Sequence, residues 1–565
     1  MKRLHSTNPI KRLGLLLLAG CAVSMAQAQP PSVIPAEAQK ATKAVRPEAI
    51  REHMRILAAD SMAGRRPGTK GFDMAAAYVQ KQFQALGFKP AGEKNTYRQD
   101  VPLRRWTVNE AGSSMTISLN GREQNLVFGK NYLLNPNFNQ AVSEVSAPVV
   151  FVGYGVTAPE LNYDDYKGID VKGKIVAYFN GAPATFPSNQ RAYYTSAKQE
   201  NAAAHGAVGV ISFSLPNDLR MRLEASAPRV RQGTYRWVDK QGKPQRTYPE
   251  LRGTALLGDS TARALFTGAA RPFDEAIANA NKSIPQAFPL AASVRMRTRT
   301  DAGGNVPAYN LVGLLPGSDP VLKNEYIVYV SHLDHLGIGR PVKGDSIFNG
   351  AHDNASGVAI NLEAARLFTL LPKAPKRSIL FVALTGEEMG LLGSDYFASN
   401  PTVPKEKIVA NLCLDMPFFF HPLLDIVPYG AEHSSLGTQV KQAADFLNVQ
   451  IAKDPMPEQT VFMRSDHFSF VRQGIPALFI KSGTQTGDPN VNGLKLNLDW
   501  RASIYHTPLD GMDQPFNFDA AARHVQLQFL IGYLTAQDPA RPVWNEGDFF
   551  GGKFGRVTTP GQQGR

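Results

Sequence analysis

Between residues 310 and 535, short apolar runs alternate with stretches of helical periodicity. The apolar runs include "YIVYVS", "SILFVAL" and "IPALFI", and the helical stretches include "ASGVAINLEAARLFTLL" and "QVKQAADFLN". A strand that is apolar throughout is typical of a sheet covered on both faces, and strands that alternate with helices favour parallel pairing. The sequence therefore predicts an α/β fold, centred on a mostly parallel sheet that is flanked by helices.

Residues 141–290 show a different sequence pattern. Short β-branched runs such as "APVVFVGYG", "GKIVAYF" and "GAVGVISF" are broken there by Gly and Pro, with a helix expected near "SAKQENAAAHG". This pattern indicates a β-rich module inserted into the α/β domain. The predicted division is an export signal (1–28), the two parts of the main domain (46–140 and 291–540), the insertion (141–290) and a Gly-rich tail expected to be extended or mobile (541–565).

The first 28 residues have the form of an export signal. Basic "MKRLHSTNPIKR" precedes apolar "LGLLLLAGCAVSM" and a small-residue cleavage site, "AQA", ending at Ala28. The apolar stretch is too short to span a bilayer, and no later run is long enough. We therefore expect an exported protein, periplasmic or secreted. "LAGC" resembles a lipoprotein box, so a lipid anchor at Cys21 on the outer membrane is the alternative.

The formal net charge of +13 raises the question of a nucleic-acid partner. The Lys and Arg residues do not form a run with interleaved aromatic residues, which is the usual pattern of such a site. A scattered, solvated basic surface is the better interpretation. We expect no nucleic-acid partner.

Two adjacent carboxylates in "LTGEEMGLLGS" follow an apolar strand, and burying such a pair is costly unless a cation compensates it. Other candidate metal ligands also follow apolar strands or precede helices. Because ligand sites of parallel sheets form beyond the carboxyl ends of the strands, these residues are expected to converge. The set comprises His332, Asp334, His335, Asp353, Glu387, Glu388, Asp415 and His506.

The residue types suit zinc chemistry. Zinc binds imidazole nitrogen and carboxylate oxygen, and a catalytic ion keeps one position open for water. Two histidines and three carboxylates, one of them bridging, would hold two ions, as in two-metal hydrolytic sites. One of the paired glutamates would then bind metal while the other acts as general base toward water.

Six motifs resemble those of the M28 family of zinc aminopeptidases in order and spacing. They are "SHLDH", "GAHDNASG", "TGEEMGLLGS", "LCLDM", "SDHFSF" and "YHTPLD". The resemblance covers residues 46–140 and 291–535 and implies the zinc exopeptidase fold. The segment between them resembles a protease-associated domain, through "DVKGKIVAYFNG" and "NAAAHGAVGVISF".

The resemblance implies two zinc ions and a role for each site residue. One ion would be held by His332, Asp353 and Asp415, and the other by Asp353, Glu388 and His506. Glu387 would be the general base, Asp334 would orient His332, and Tyr505 would hydrogen-bond the oxyanion intermediate. Supporting or structural roles are expected for the remaining neighbours: His335, His352, Cys413, Ser465, Asp466 and His467. Ser465 or Asp466 is expected to cap a helix, and "MPFFFHP" fits a substrate pocket and core packing equally well.

The leading hypothesis is an exported aminopeptidase that removes amino-terminal residues from peptides. A glutaminyl-cyclase-like enzyme with one zinc ion is the first alternative, and a binding module without chemistry on the same fold is the second. A carboxypeptidase would need a basic cluster for the terminal carboxylate of its substrate, and the sequence shows none.

Overall fold

A computed structural model describes residues 34–214 and 223–556 of the chain. The predicted export signal and Cys21 lie outside the described residues. Within those two ranges, none of the helices combines the length and apolar character that crossing a membrane requires.

The strands are, in chain order, β1 (Lys89–Pro90), β2 (Arg98–Asp100), β3 (Leu103–Val108), β4 (Ser114–Leu119), β5 (Arg122–Asn125), β6 (Tyr132–Leu134), β7 (Val142–Phe151), β8 (Thr157–Ala158), β9 (Tyr163–Asp164), β10 (Ile175–Phe179), β11 (Gly209–Phe213), β12 (Thr234–Trp237), β13 (Gly253–Leu257), β14 (Phe288–Val306), β15 (Tyr309–Leu315), β16 (Tyr326–His332), β17 (Gly337–Val342), β18 (Asp345–Phe348), β19 (Ser378–Leu384), β20 (Ile408–Cys413), β21 (Asp425–Tyr429), β22 (Gln450–Ile451) and β23 (Ala477–Ser482). The helices are α1 (Ala36–Thr42), α2 (Pro47–Leu57), α3 (Lys70–Ala85), α4 (Ser188–Ser196), α5 (Lys198–Ala204), α6 (Leu223–Gln232), α7 (Asp259–Leu265), α8 (Phe273–Asn281), α9 (Ser356–Thr369), α10 (Leu392–Ser399), α11 (Leu436–Phe446), α12 (His467–Val471), α13 (Gly493–Ser503), α14 (Phe518–Gln537) and α15 (Phe549–Phe554).

The first sheet carries the strand order β1-β15-β19-β16-β20-β23-β21-β22, and β2 also pairs with β15. Its centre is parallel, since β16 pairs in parallel with both β19 and β20, and β20 with β23. Antiparallel partners flank this centre, β15 on one side and β21 on the other. The predicted α/β fold around a mostly parallel sheet is therefore confirmed.

Helices cover both faces of this sheet, which explains why its strands are apolar throughout. Along β16, Ile327 and Tyr329 pack into one core with residues of α2, α9 and α14. Val328 and Val330 point the other way and pack with Phe397 of α10 and residues of α12. Successive side chains of a strand point to opposite faces, so both faces need apolar residues when both are covered.

The second sheet has the order β12-β3-β14-β7-β10-β11-β13-β6, with β4 paired to β14 and β5 to β4. Its strands run from residue 103 to residue 306, so it extends beyond the 141–290 segment on both sides. Met115 and Ile117 of β4 explain why the earlier residues join it, because their alternate side chains are buried in its core with Val294 and Met296 of β14. The helix expected near "SAKQENAAAHG" is α5.

The carboxyl-terminal segment differs from the extended tail that was expected. Residues 549–554 form α15, and Phe550 is buried against Phe462 and Phe468. The indole Nε1 of Trp544 also donates to the Gly474 carbonyl over 3.1 Å. Three Phe residues supply enough apolar area to hold this Gly-rich segment on the domain.

Candidate active site

The carboxyl ends of three parallel strands bring most of the predicted ligands to one edge of the first sheet. β16 ends at His332, while Glu387 and Glu388 follow β19 and Asp415 follows β20. Because the three strands run side by side in parallel, their ends meet. Asp353 joins them from the loop before α9, and His506 joins them from the loop after α13.

Asp353 lies between two candidate metal-binding groups. Its Oδ1 atom is 3.3 Å from His332 Nε2, which is in turn 3.5 Å from Asp415 Oδ1. Its Oδ2 atom is 3.2 Å from His506 Nε2, which is 3.1 Å from Glu388 Oε2. The structure thus places the five predicted ligands next to one another, with one carboxylate shared by two groups.

The polar atoms of this cluster fit a metal better than they fit one another. Four of these atoms are buried and have no hydrogen-bond partner among the described residues, although each has a candidate ligand atom of another residue nearby: His332 Nε2, Asp415 Oδ1, Glu388 Oε1 and His506 Nε2. Such unpaired buried groups are costly, and a cation placed between them would satisfy them together. Nitrogen and carboxylate oxygen donors are also the set that zinc takes.

The paired glutamates are held from behind by Asp334, which is fully buried. Its carboxylate accepts the backbone N–H groups of Glu387 and Glu388 at 3.2 Å and 3.4 Å. The contact to His332 comes from the Asp334 backbone carbonyl, 3.1 Å from His332 Nδ1. Asp334 therefore connects the end of β16 to the turn after β19.

The two glutamates differ in their electrostatic surroundings. Burial raises the pKa of the Glu387 carboxyl well above its ordinary value, and the charge of Glu388 adds to this. Burial and Asp353 also raise the pKa of Glu388, but His506 and His335 outweigh them and hold it below its ordinary value. The two adjacent carboxyls therefore differ in proton affinity, and Glu387 holds a proton more tightly than Glu388 does.

His335 lies closer to the cluster than the sequence reasoning expected. Its Nδ1 atom is 2.7 Å from Glu388 Oε1 and 3.9 Å from Asp353 Oδ2. It forms a candidate metal-binding group with these two residues. The signal for it was present in "SHLDH", where a second histidine follows the strand end.

Two further residues hold the ligands, and sequence reasoning gave neither of them that role. Asp510, fully buried, accepts the backbone N–H groups of His352 and Asp353 at 2.8 Å and 2.9 Å. Ser465 donates its hydroxyl to Asp415 Oδ2 over 2.8 Å. The prediction that Ser465 or Asp466 caps a helix is wrong, because α12 has no side-chain cap.

We expect Ser465→Ala to weaken metal binding by about 10–100-fold, the usual effect of losing a hydrogen bond to a ligand. The variant removes only the hydroxyl that orients Asp415. Metal affinity is measured by competition with a chromophoric chelator. Ser469→Ala is the matched control, because its hydroxyl lies 2.9 Å from that of Ser394. Equal affinity in Ser465→Ala and the wild type would contradict this role.

An aromatic cluster borders the site next to Asp415. His352 is fully buried there, with its ring centroid 4.9 Å from that of Trp500 and 5.2 Å from that of Phe420. Burial lowers the pKa of His352 to about 3, so this imidazole is neutral. Phe418 is buried against Trp500, so part of "MPFFFHP" serves core packing.

The remaining predicted residues lie around the cluster. Tyr505 stacks on His506 with ring centroids 3.8 Å apart. Cys413 is buried, as expected of a small core residue, and His467 is buried against Phe479. Asp466 is also buried, and neither of its carboxylate oxygens has a hydrogen-bond partner among the described residues.

Arg65 ties the amino-terminal helices to the ligand loops. Its buried guanidinium donates to the Leu333 carbonyl at 2.8 Å, the Leu57 carbonyl at 2.7 Å and the Gly350 carbonyl at 3.0 Å. Leu333 follows the candidate ligand His332, and Gly350 lies on the loop that leads to Asp353. A single side chain therefore fixes two ligand loops against α2.

We expect Arg65→Met to lower the free energy of unfolding by about 3 kcal/mol or more, because several buried carbonyls lose their donor together. The fall would be followed as the midpoint of urea denaturation. Arg66→Met is the control, since Arg66 is only half-buried and donates to the Leu336 carbonyl at a longer 3.2 Å. Equal midpoints for the two variants would contradict the role given to Arg65.

Fold and site together define an α/β domain with candidate metal-binding groups at the carboxyl edge of its parallel strands. Residues 310–530 match the model of peptidase family M28. This part of the chain is similar to family M28, so the resemblance predicted from its motifs is confirmed.

Individual relatives match different lengths of the chain. Aminopeptidase NAALADL1 of Mus musculus is 26% identical over 343 residues, which are 51% of this chain and 42% of that protein. Leupeptin-inactivating enzyme 1 of Streptomyces exfoliatus is 33% identical over 127 residues, 22% of this chain and 26% of that protein. The chain thus spans less than half the length of these two relatives. Among solved structures, an aminopeptidase from Aneurinibacillus sp. strain AM-1 has a TM-score of 0.49 at 20% identity, covering 89% of this chain and 97% of its own.

Proposed function

We propose that this protein is an exported, zinc-dependent aminopeptidase that hydrolyses amino-terminal residues from peptides. The observation that carries the proposal is the position of Asp353, shared by two groups of histidine and carboxylate ligands beside a further carboxylate, Glu387. The matching aminopeptidase NAALADL1 of Mus musculus supports the reaction class.

Five residues would hold two zinc ions: His332, Asp353 and Asp415 for one, and Asp353, Glu388 and His506 for the other. When bound, such ions polarise the substrate carbonyl and activate water. Glu387 accepts the proton of the attacking water and passes it to the leaving amine. Asp334 fixes the turn that carries Glu387, and Asp510 fixes the backbone of Asp353.

Access to the site supports a role on peptides. The side chain of His506 is 34% exposed, whereas those of His332 and Asp353 are almost completely buried. The cluster is thus open on the His506 side. Tyr505 stacks on His506 there, and we assign it the hydrogen bond to the oxyanion of the reaction intermediate.

Export rests on the sequence of residues 1–28, and we place the protein in the periplasm or outside the cell. Cleavage after Ala28 is tested by amino-terminal sequencing of the mature protein. Retention in the membrane fraction, with a lipid on Cys21, would favour the lipoprotein alternative.

A panel of aminoacyl-anilides with free and with blocked amino groups tests the reaction. We expect hydrolysis of the free forms only. Cyclisation of amino-terminal glutamine without hydrolysis would favour the glutaminyl-cyclase-like alternative. Two bound ions without turnover of any substrate would favour the binding module.

A further inference from the structure

A cavity of about 460 Å³ lies between the second sheet and the peptidase domain. From the second-sheet side it is lined by Lys198, Arg236 and Arg246, and from the peptidase side by Gly390 and Asp395. The backbone N–H of Gly390 donates to the Glu387 carbonyl over 2.8 Å. The cavity therefore reaches the turn that carries the paired glutamates.

The charges that line the cavity are not balanced. Among the described residues around it, the basic ones are Lys198, Arg236 and Arg246, and Asp395 is the one carboxylate. Asp395 is already engaged, because Trp237 Nε1 donates to its Oδ2 over 2.7 Å and Arg246 lies 3.8 Å from its Oδ1. An excess of positive charge thus faces this space.

Some of the donors in the cavity also lack acceptors. Arg236 Nε and Asn180 Nδ2 are buried, and neither has a hydrogen-bond partner among the described residues. Arg236 is otherwise held in place, since Nη1 donates to the Tyr235 carbonyl at 2.9 Å and its guanidinium stacks on Phe138 at 4.7 Å. Buried donors of this kind are normally satisfied, so their orientation suits an oxyanion.

The pKa values of Arg236 and Lys198 also indicate that these side chains lack enough acidic partners. Burial, followed by repulsion from Arg246, lowers the pKa of Arg236 to about 10. Burial lowers the pKa of Lys198 to about 7, only partly offset by Asp165. The Asp165 carboxylate itself accepts the backbone N–H groups of Tyr154 and Val156 at 3.0 Å and 3.1 Å, so it is committed elsewhere.

We propose that this cavity is a carboxylate-binding subsite, which takes a carboxylate of the peptide substrate through Arg236 and Arg246. A peptide is the fitting source because the cavity adjoins the turn of Glu387, where peptide would be cleaved. The sequence showed no basic cluster because its members come from positions 198, 236 and 246, on separate elements. The substrate assignment rests on the proposed function, whereas the carboxylate site itself does not.

Binding is measured first, without catalysis. Glutarate and, separately, inorganic phosphate are titrated calorimetrically into the purified full chain. We expect glutarate to bind, and Arg236→Gln/Arg246→Gln to weaken it by about tenfold or more, the effect of losing charge-assisted hydrogen bonds. Arg122→Gln, an exposed arginine on β5, is the matched control and should bind as the wild type does. Arg246→Gln alone guards against misfolding, since that side chain is 49% exposed.

Kinetics then test the source of the carboxylate. Two peptides of one sequence are compared, one ending in a carboxylate and the other in an amide. In the double variant we expect KM to rise about tenfold for the carboxylate form only, with kcat unchanged for both. If the wild type hydrolyses neither peptide, the proposed function is refuted. Glutarate binding alone then tests whether the cavity binds a carboxylate. The inference would be overturned if glutarate did not bind, if phosphate bound more tightly than glutarate, or if KM changed equally for both peptides.

Discussion

Glu387→Gln is expected to lower kcat by about 10²–10⁴-fold, the usual contribution of a positioned general base, while metal content stays at the wild-type level. The substitution keeps the size of the side chain and removes only its capacity to accept a proton. Glu387 lies beside the ligand cluster, and burial raises the pKa of its carboxyl. The measurement is steady-state hydrolysis of an aminoacyl-anilide together with metal analysis of the same sample.

Glu388→Gln is the matched control, because it changes the adjacent residue in the same chemical way. Glu388 Oε2 lies 3.1 Å from His506 Nε2, and Oε1 lies 2.7 Å from His335 Nδ1. Its replacement should therefore lower metal content along with activity. Equal metal loss in both variants, or a fully active Glu387→Gln enzyme, would refute the division of roles between the two glutamates.

Asp353→Ala is expected to remove both ions and to abolish hydrolysis, the largest loss of metal in the series. Its two oxygens face different groups, Oδ1 toward His332 and Oδ2 toward His506. Without the shared carboxylate, each group keeps too few ligands for a structural or catalytic zinc ion. Metal content is measured by mass spectrometry after dialysis against zinc-containing buffer.

Asp345→Ala, in the exposed hairpin of β17 and β18, serves as the control for the loss of an acidic residue nearby. It should retain the wild-type metal content. A single ion that remains tightly bound in Asp353→Ala would show that the two groups do not depend on a shared ligand.

The convergence of the main candidate ligands could be predicted from the sequence because these residues follow apolar strands directly. Once β16, β19 and β20 are paired in parallel, the positions of His332, Glu388 and Asp415 at one edge follow from the fold. The motifs indicate which residues are candidate ligands, and the periodicity indicates which strands and helices carry them.

The supports of the site depend on contacts between distant parts of the chain, which periodicity does not reveal. Asp510 holds the backbone of Asp353 across 157 positions, and Arg65 reaches Leu333 across 268. Ser465 has the sequence environment of a helix cap, but tertiary packing turns its hydroxyl toward Asp415. The helix α15 was missed for a related reason, because its stability comes from packing rather than from its Gly-rich sequence.

Zinc reconstitution tests most directly whether two ions act together at a shared carboxylate. The purified chain is stripped with a strong chelator, and hydrolysis of a free aminoacyl-anilide is followed as zinc is returned in measured amounts. We predict that activity is absent without metal and reaches its maximum at about two zinc ions per chain, as expected of a two-metal site. Full activity at one ion per chain would contradict a mechanism that needs two ions.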